Sequence, residues 1–318
     1  MKGIGVFLLA LLPALAHAQA YPAKAVRVVI PYPAGSTPDI VGRTVAERLQ
    51  KALGQPFVVD NRTGAAGNIG AEAVAKAAPD GYTLLVAING PVAVNKYLYK
   101  NMGYDPEKDL LPISLLASAP QMLVVTPAVP ADSFKAFLDF AKRNPGKLSY
   151  GSVGAGSASH LTMELLKSEA GLFIVHIPYR GFPPAVTDML AGNIDCMFAI
   201  IPAVLPHVKA GKMKALAVTA LKRSALAPEV PSVAELGHPQ LESLAWIGLL
   251  APAGTPREVV SRLSAETVRG MQAVETREML GKQGFDVVAS SPEQFSRWIG
   301  AESAKWARVI RASGATPD

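Results

Sequence analysis

Val26-Arg27-Val28-Val29-Ile30-Pro31-Tyr32-Pro33-Ala34-Gly35-Ser36-Thr37-Pro38-Asp39, followed by the amphipathic run 40–53, contains one complete strand-to-helix unit. The β-branched segment 26–30 predicts a strand. The prolines and Gly35 predict a sharp turn, and the 3.6-residue pattern beyond them predicts a helix. Thr37 is expected to cap that helix, with Pro38 at its first position, where no backbone N–H is needed. Free N–H groups of the first turn then point back into the loop, and Tyr32, Pro33, Ala34, Gly35 and Ser36 line a small pocket suited to an anion.

The same design recurs. A strand at 57–60 leads through Gly64-Ala65-Ala66-Gly67-Asn68 into a helix, and a strand at 148–150 leads through Ser152 to Ser159 into a helix from His160. Small residues in all three loops let backbone N–H groups approach a ligand closely. Strand and helix patterns alternate with short connections throughout, which predicts an α/β architecture with largely parallel sheets. Two long apolar runs, 113–126 and 244–252, are long enough to cross between lobes. We therefore expect one lobe of residues 19–120 plus 247–318 and another of 121–246, with a ligand cleft between them. Ser291-Pro292-Glu293-Gln294 reads as a capping box opening a last helix.

Composition narrows the function. The chain has 318 residues, 50% apolar and 18% charged, with a net charge of +6 and one cysteine. The positive charge is scattered along helices, without the basic cluster and stacking aromatics of a nucleic-acid surface. Lys2, the apolar stretch 3–15 and the small-x-small triplet Ala16-His17-Ala18 read as an export signal over residues 1–18. Export implies an oxidising compartment, yet the lone Cys196 forms no internal disulfide; in its apolar run it reads as a buried small hydrophobe.

Chemistry-bearing residues are few. Gly154-Ala155-Gly156-Ser157-Ala158-Ser159 matches only part of a dinucleotide fingerprint. No His/Cys/Asp spacing suggests a metal site, and no cofactor is expected. Ser157 with His160 admits an exported hydrolase as an alternative, although no Gly-x-Ser-x-Gly elbow occurs. Asp39 orients its loop or accepts from a ligand amino group. Asn89, following the strand 82–88, joins the candidate lining. Arg180, between Tyr179 and Gly181, is suited to a second ligand carboxylate. Asp195, at the head of an apolar strand, makes a structural hydrogen bond or faces the ligand.

Several of these segments form an ordered series. Pro33-Ala34-Gly35 with Asp39, Asn61-Arg62, Gly64-Ala65-Ala66-Gly67-Asn68-Ile69-Gly70, Pro79-Asp80-Gly81-Tyr82-Thr83-Leu84, Tyr150-Gly151-Ser152 with Gly156-Ser157 and His160, and Pro178-Tyr179-Arg180-Gly181 together resemble the Bug-type receptors, the periplasmic solute-binding subunits of tripartite tricarboxylate transporters. The resemblance covers the whole chain after the signal. It implies a two-lobed periplasmic binding protein of the type II, Venus-flytrap kind, closing by hinge motion on a small organic carboxylate (a mono- or dicarboxylate or an aromatic acid). It also implies a monomer, not an enzyme, delivering solute to a membrane carrier of one large and one small subunit. A sensor presenting its closed form to a signalling receptor is a further alternative. Family members often carry a second glycine where this chain has Ser36, and Pro38 precedes Asp39 here.

Overall fold

The computed structural model describes residues 21–317; the segment read as an export signal lies outside the described residues. In chain order the elements are β1 (Val26–Ile30), α1 (Thr37–Leu53), β2 (Phe57–Asn61), α2 (Asn68–Ala75), β3 (Thr83–Ile88), a π-helical turn (Gly90–Val94), α3 (Asn95–Leu98), α4 (Pro106–Asp109), β4 (Leu110–Val125), α5 (Phe134–Arg143) and β5 (Ser149–Ser152). There follow α6 (Ala158–Ala170), β6 (Val175–Pro178), α7 (Phe182–Leu190), β7 (Cys196–Ile200), α8 (Ile201–Lys209), β8 (Lys214–Val218), β9 (Leu244–Pro252), α9 (Arg257–Met271), α10 (Val274–Lys282), β10 (Asp286–Val287) and α11 (Pro292–Ser313).

The strands run in the order β2-β1-β3-β9-β4-β7-β5-β6, with β8 and β10 also paired to β4. Both flanks are parallel, β1 with β2 and β3, and β5 with β6 and β7. The middle is antiparallel, through β9 and β4. One strand, β4, serves both halves: residues 110–120 pair with β9, and 121–125 pair with β7 and β8. The result is a two-lobed α/β fold joined through a shared strand. Pro120 is tolerated in it because its partner, Leu244, is the end of β9, where the ladder finishes.

Parallel pairing places the loops. Strands β1, β2 and β3 end on one edge, so the loops 31–39, 62–67 and 89–95 leave the first lobe together. Strands β5, β6 and β7 likewise send 153–157 and 179–181 from one edge of the second. Such edges are where open α/β sheets bind ligands.

Helix ends follow the sequence closely. Ser36, rather than Thr37, is the N-cap of α1, so Pro38 sits second in the helix, still within the turn whose N–H groups lack helical partners. The capping box at Ser291 and Gln294 forms with both of its hydrogen bonds. The helix expected to follow Asn68 takes Asn68 itself as its first residue. Around α11 a continuous core joins the lobes: Trp246 and Trp306, both fully buried, donate their indole N–H groups to Glu302 Oε2 at 2.9 Å each. Cys196 is buried, and burial, with Asp195 adding to it, pushes its thiol pKa far up. It packs as a core residue.

Candidate functional site

The first loop is shaped by Asp39. Its Oδ2 accepts from Gly35 N at 2.8 Å and from Arg43 Nε at 2.9 Å, and its Oδ1 accepts from Asn61 Nδ2 at 2.9 Å. Asn61 also donates to the Tyr32 carbonyl at 2.9 Å. Burial pulls this carboxyl upward, but the hydrogen bonds from Arg43, Asn61 and Gly35 outweigh it and hold its pKa below the ordinary value. A carboxylate so engaged organises its loop. Ser36 Oγ donates to the Pro33 carbonyl at 2.6 Å, so the hydroxyl that distinguishes this loop is turned into the loop itself.

The second loop is conformationally demanding. Gly64, Ala65, Ala66 and Gly67 all have positive φ, at 128°, 45°, 51° and 94°. Each alanine held there costs roughly 1–2 kcal/mol. At Gly67 the backbone also lies close to Tyr32: a Cβ there would be 2.8 Å from the phenolic oxygen. Burial pushes the Tyr32 hydroxyl pKa well above its ordinary value, and the neighbouring Tyr104 adds to this. Asn95 ties the loop down from the far side. Its Nδ2 donates to Asn68 Oδ1 at 2.7 Å and to the Ala66 carbonyl at 3.3 Å. Asn89 is 1% exposed, and neither its Oδ1 nor its Nδ2 has a hydrogen-bond partner among the described residues.

In the second lobe, the loop before α6 is bound by its own hydroxyls. Ser157 caps α6 and donates to the Gly154 carbonyl at 2.6 Å. Ser159 Oγ accepts from Val153 N at 3.0 Å. Ser152 Oγ and His176 Nε2 are hydrogen-bonded at 2.6 Å, and Ser152 Oγ also accepts from Gly154 N at 3.1 Å. His176 is sandwiched between Tyr150 and His160, with ring centroids 4.7 and 4.5 Å apart. His160 Nδ1 accepts from Gly156 N at 3.2 Å. Burial first, and then the charge of His176, lowers the His160 pKa to about 4. Below this stack Glu164 accepts from the Tyr150 hydroxyl at 2.7 Å and from Lys167 at 2.6 Å. Tyr179 N donates to the Ser152 carbonyl at 2.9 Å, which places 178–181 beside this loop. Arg180 is exposed there.

The two lobes meet at Asn95 and Gly156, where a Cβ on the glycine would lie 2.5 Å from Asn95 Oδ1. Contacts thus run continuously from Tyr32 through Gly67, Asn68 and Asn95 to Gly156, Ser157 and His160. Asp195 does not join this group. Its carboxylate accepts from Ser149 N and Oγ at 2.7 and 2.9 Å, at the starts of β5 and β7 and therefore at the opposite edge of the sheet from Ser152. The Ser157–His160 pair also lacks the geometry of a nucleophile and base. Ser157 Oγ meets the backbone N of His160 at 3.4 Å, and the imidazole Nδ1 is engaged by Gly156. Among the described residues no group of three His, Cys, Asp or Glu could hold a metal, and no helix is long and apolar enough to cross a membrane.

Sequence reasoning missed Asn95, Tyr150, His176 and Glu164. All act through partners distant in the chain, and only Asn95, six residues after Asn89 and beyond a Gly-Pro turn, carried a local hint.

Fold and site define a class: a two-lobed α/β protein whose neighbouring loop edges carry neutral hydroxyls, amides and backbone N–H groups. Residues 41–315 match the tripartite tricarboxylate transporter family receptor, TctC. The protein BugT of Bordetella pertussis is 37% identical over 314 residues, covering 98% of this chain and 96% of BugT. Among solved structures, Rpa4515 of R. palustris with adipate superimposes with a TM-score of 0.84 at 36% identity, covering 94% of this chain and all of that one. MatC of Rhodopseudomonas palustris with bound malate does so at 0.81 and 31% identity, covering 91% of this chain and 100% of that one. The chain belongs to the tripartite tricarboxylate transporter receptor family, the Bug-type periplasmic solute-binding proteins.

Proposed function

We propose that this protein is an exported, monomeric receptor that captures a small organic carboxylate between its lobes and delivers it to a membrane carrier with one large and one small subunit. The proposed lobes comprise residues 19–120 with 247–318, and residues 121–246. The observation that carries the reading is the convergence of three helix-opening loops from two lobes, beside a buried Asn89 amide with both polar atoms unpartnered. Buried polar atoms are rarely left without partners, so an unpaired amide at this place favours a polar ligand or the water that accompanies one. Helix N-termini and loop N–H groups suit a carboxylate without a buried cation. Tyr32, Pro33, Ala34, Gly35, Ser36, Ala66, Gly67 and Asn68 form one jaw. Ser152, Gly156, Ser157 and His160 form the other, with Tyr179, Arg180 and Gly181 at its rim. Asp39 acts from behind the first jaw. Relatives that hold adipate and malate support a linear dicarboxylate as the first ligand class to test.

The test is calorimetric titration and thermal unfolding of ligand-stripped protein with malate, adipate, succinate and benzoate. A bound acid at 100 times its Kd should add about 2.7 kcal/mol of stability. Absence of both heat and thermal shift across the panel would overturn the reading.

A further inference from the structure

Resting on that reading, we infer that the contact between Asn95 and Gly156 is the stop that sets how far the lobes close. The Asn95 amide has a fixed orientation. Its Nδ2 faces two acceptors, Asn68 Oδ1 and the Ala66 carbonyl, so the group cannot be reversed without losing both hydrogen bonds. Tyr104, which donates to the Pro91 carbonyl at 2.7 Å and to Asn68 Oδ1 at 3.4 Å, braces Asn68 from behind. Oδ1 therefore faces two glycines, Gly90 of its own lobe, where a Cβ would lie 3.2 Å away, and Gly156 of the other. It is fully buried and has no hydrogen-bond donor among the described residues. Of the two glycines, Gly156 makes the tighter approach, from the loop 153–157 of the other lobe.

Gly156 is made for this approach. Its φ is +73°, its N–H is already given to His160 Nδ1, and a Cβ would lie 2.5 Å from Asn95 Oδ1 and 3.4 Å from Leu98 Cδ1. The bare Cα is the face presented to the amide oxygen, an arrangement that suits a weak Cα–H···O contact. Six residues further along, Thr162 is hydrogen-bonded to Gln121 on β4 and to Ser243 at the head of β9, the two places where the chain passes between lobes. The helical part of that span, 158–162, rises only about 6 Å at about 1.5 Å per residue, so the stop lies close to the crossing. At so short a radius even a methyl group becomes a wedge that props open the outer cleft. The same amide holds Ala66 in its left-handed conformation, so the residue that limits closure also shapes the first lobe's ligand loop. Asn95 is thus a positioning residue that need not touch the solute.

The experiment is a double-variant cycle on Gly156→Ala, Asn95→Ala and the combination. Each is titrated with malate and adipate, and each is measured by X-ray scattering with and without acid and by urea unfolding. Gly156→Ala should weaken binding roughly tenfold, within the coupling that contacting pairs show, and should keep a larger radius of gyration in the presence of acid. Asn95→Ala in that background should restore much of the affinity and the compact form, because trimming the amide removes the collision while leaving the strain of alanine at positive φ untouched. A combined variant as weak as the product of the two single losses overturns the stop, as does a Gly156→Ala protein that closes normally. If the unmodified protein binds neither acid, the malate- and adipate-binding reading fails. The stop is then judged on urea unfolding alone: suppression of the Gly156→Ala defect by Asn95→Ala supports it, and additive defects overturn it.

Discussion

His160 shows how a single side chain can couple this site to pH. In the unfolded chain its imidazole takes up a proton near pH 6.5, whereas in the folded protein burial and the adjacent His176 delay protonation to about pH 4. Between these values the unfolded state binds more protons, so stability rises with pH and is lost on acidification. At 1.36 kcal/mol per pH unit, passing from pH 7 to pH 5 should cost about 2 kcal/mol through this residue. Asp39 and Glu164, held below the ordinary carboxylate value, stay ionised across that window and contribute little. His160→Asn, whose Oδ1 can replace Nδ1 as acceptor for Gly156 N, should show a flatter profile. Urea unfolding of both proteins at pH 7 and pH 5 measures the difference, and equal losses would refute the assignment.

At the scale of elements, the loop 64–67 is the unusual piece. Two alanines there hold a conformation that glycine adopts freely. Ala66→Gly should therefore raise unfolding stability by about 1 kcal/mol, whereas Ala71→Gly, inside α2, should lower it by about that amount. The freed loop should also bind acid more weakly, because more conformations are lost on binding. A destabilised Ala66→Gly protein would count against strain in this loop. Much of the element level was legible in the sequence. Three strand–loop–helix units, the capping box at Ser291 and the buried setting of Cys196 follow from local spacing and residue type. Two helix ends depart from expectation: Ser36 takes the N-cap position of α1 in place of Thr37, its hydroxyl bonded locally to the Pro33 carbonyl, and α2 starts at Asn68, whose side chain is engaged by the distant Asn95. The stack of Tyr150, His176 and His160 was illegible because its rings come from β5, β6 and α6, and nothing local shows that they share a face. Asp195 stayed between two readings for the converse reason: a carboxylate at a strand start can bond its own sheet or face a ligand until its partner, here Ser149, is known.

Over the whole molecule, the two passages between lobes are joined by a small hydroxyl network. Gln121 Nε2 donates to Thr162 Oγ1 at 2.7 Å, Thr162 and Ser243 share a hydrogen bond of 2.6 Å, and Thr219 Oγ1 accepts from Gln121 N at 2.9 Å while donating to the Ser243 carbonyl at 2.5 Å. All four residues are buried. Because the loop 153–157 runs directly into α6, which carries Thr162, this network links that loop to the passages. Thr162→Val keeps the shape but removes the hydroxyl, leaving Ser243 Oγ and much of the Gln121 amide without partners. It should cost about 1–3 kcal/mol in urea unfolding. It should also speed amide hydrogen exchange at 121 and 243 more than at 26–30, and uniform acceleration would argue against a local role.

The lone cysteine has a practical consequence. Because Cys196 is fully buried on β7 and its thiol is held in the protonated form, it will not compete for maleimide or nitroxide reagents in the native protein. A single exposed cysteine introduced on each lobe can thus be labelled without first removing the native one. Distances across the cleft then become measurable by spin or fluorophore pairs in an otherwise unaltered core.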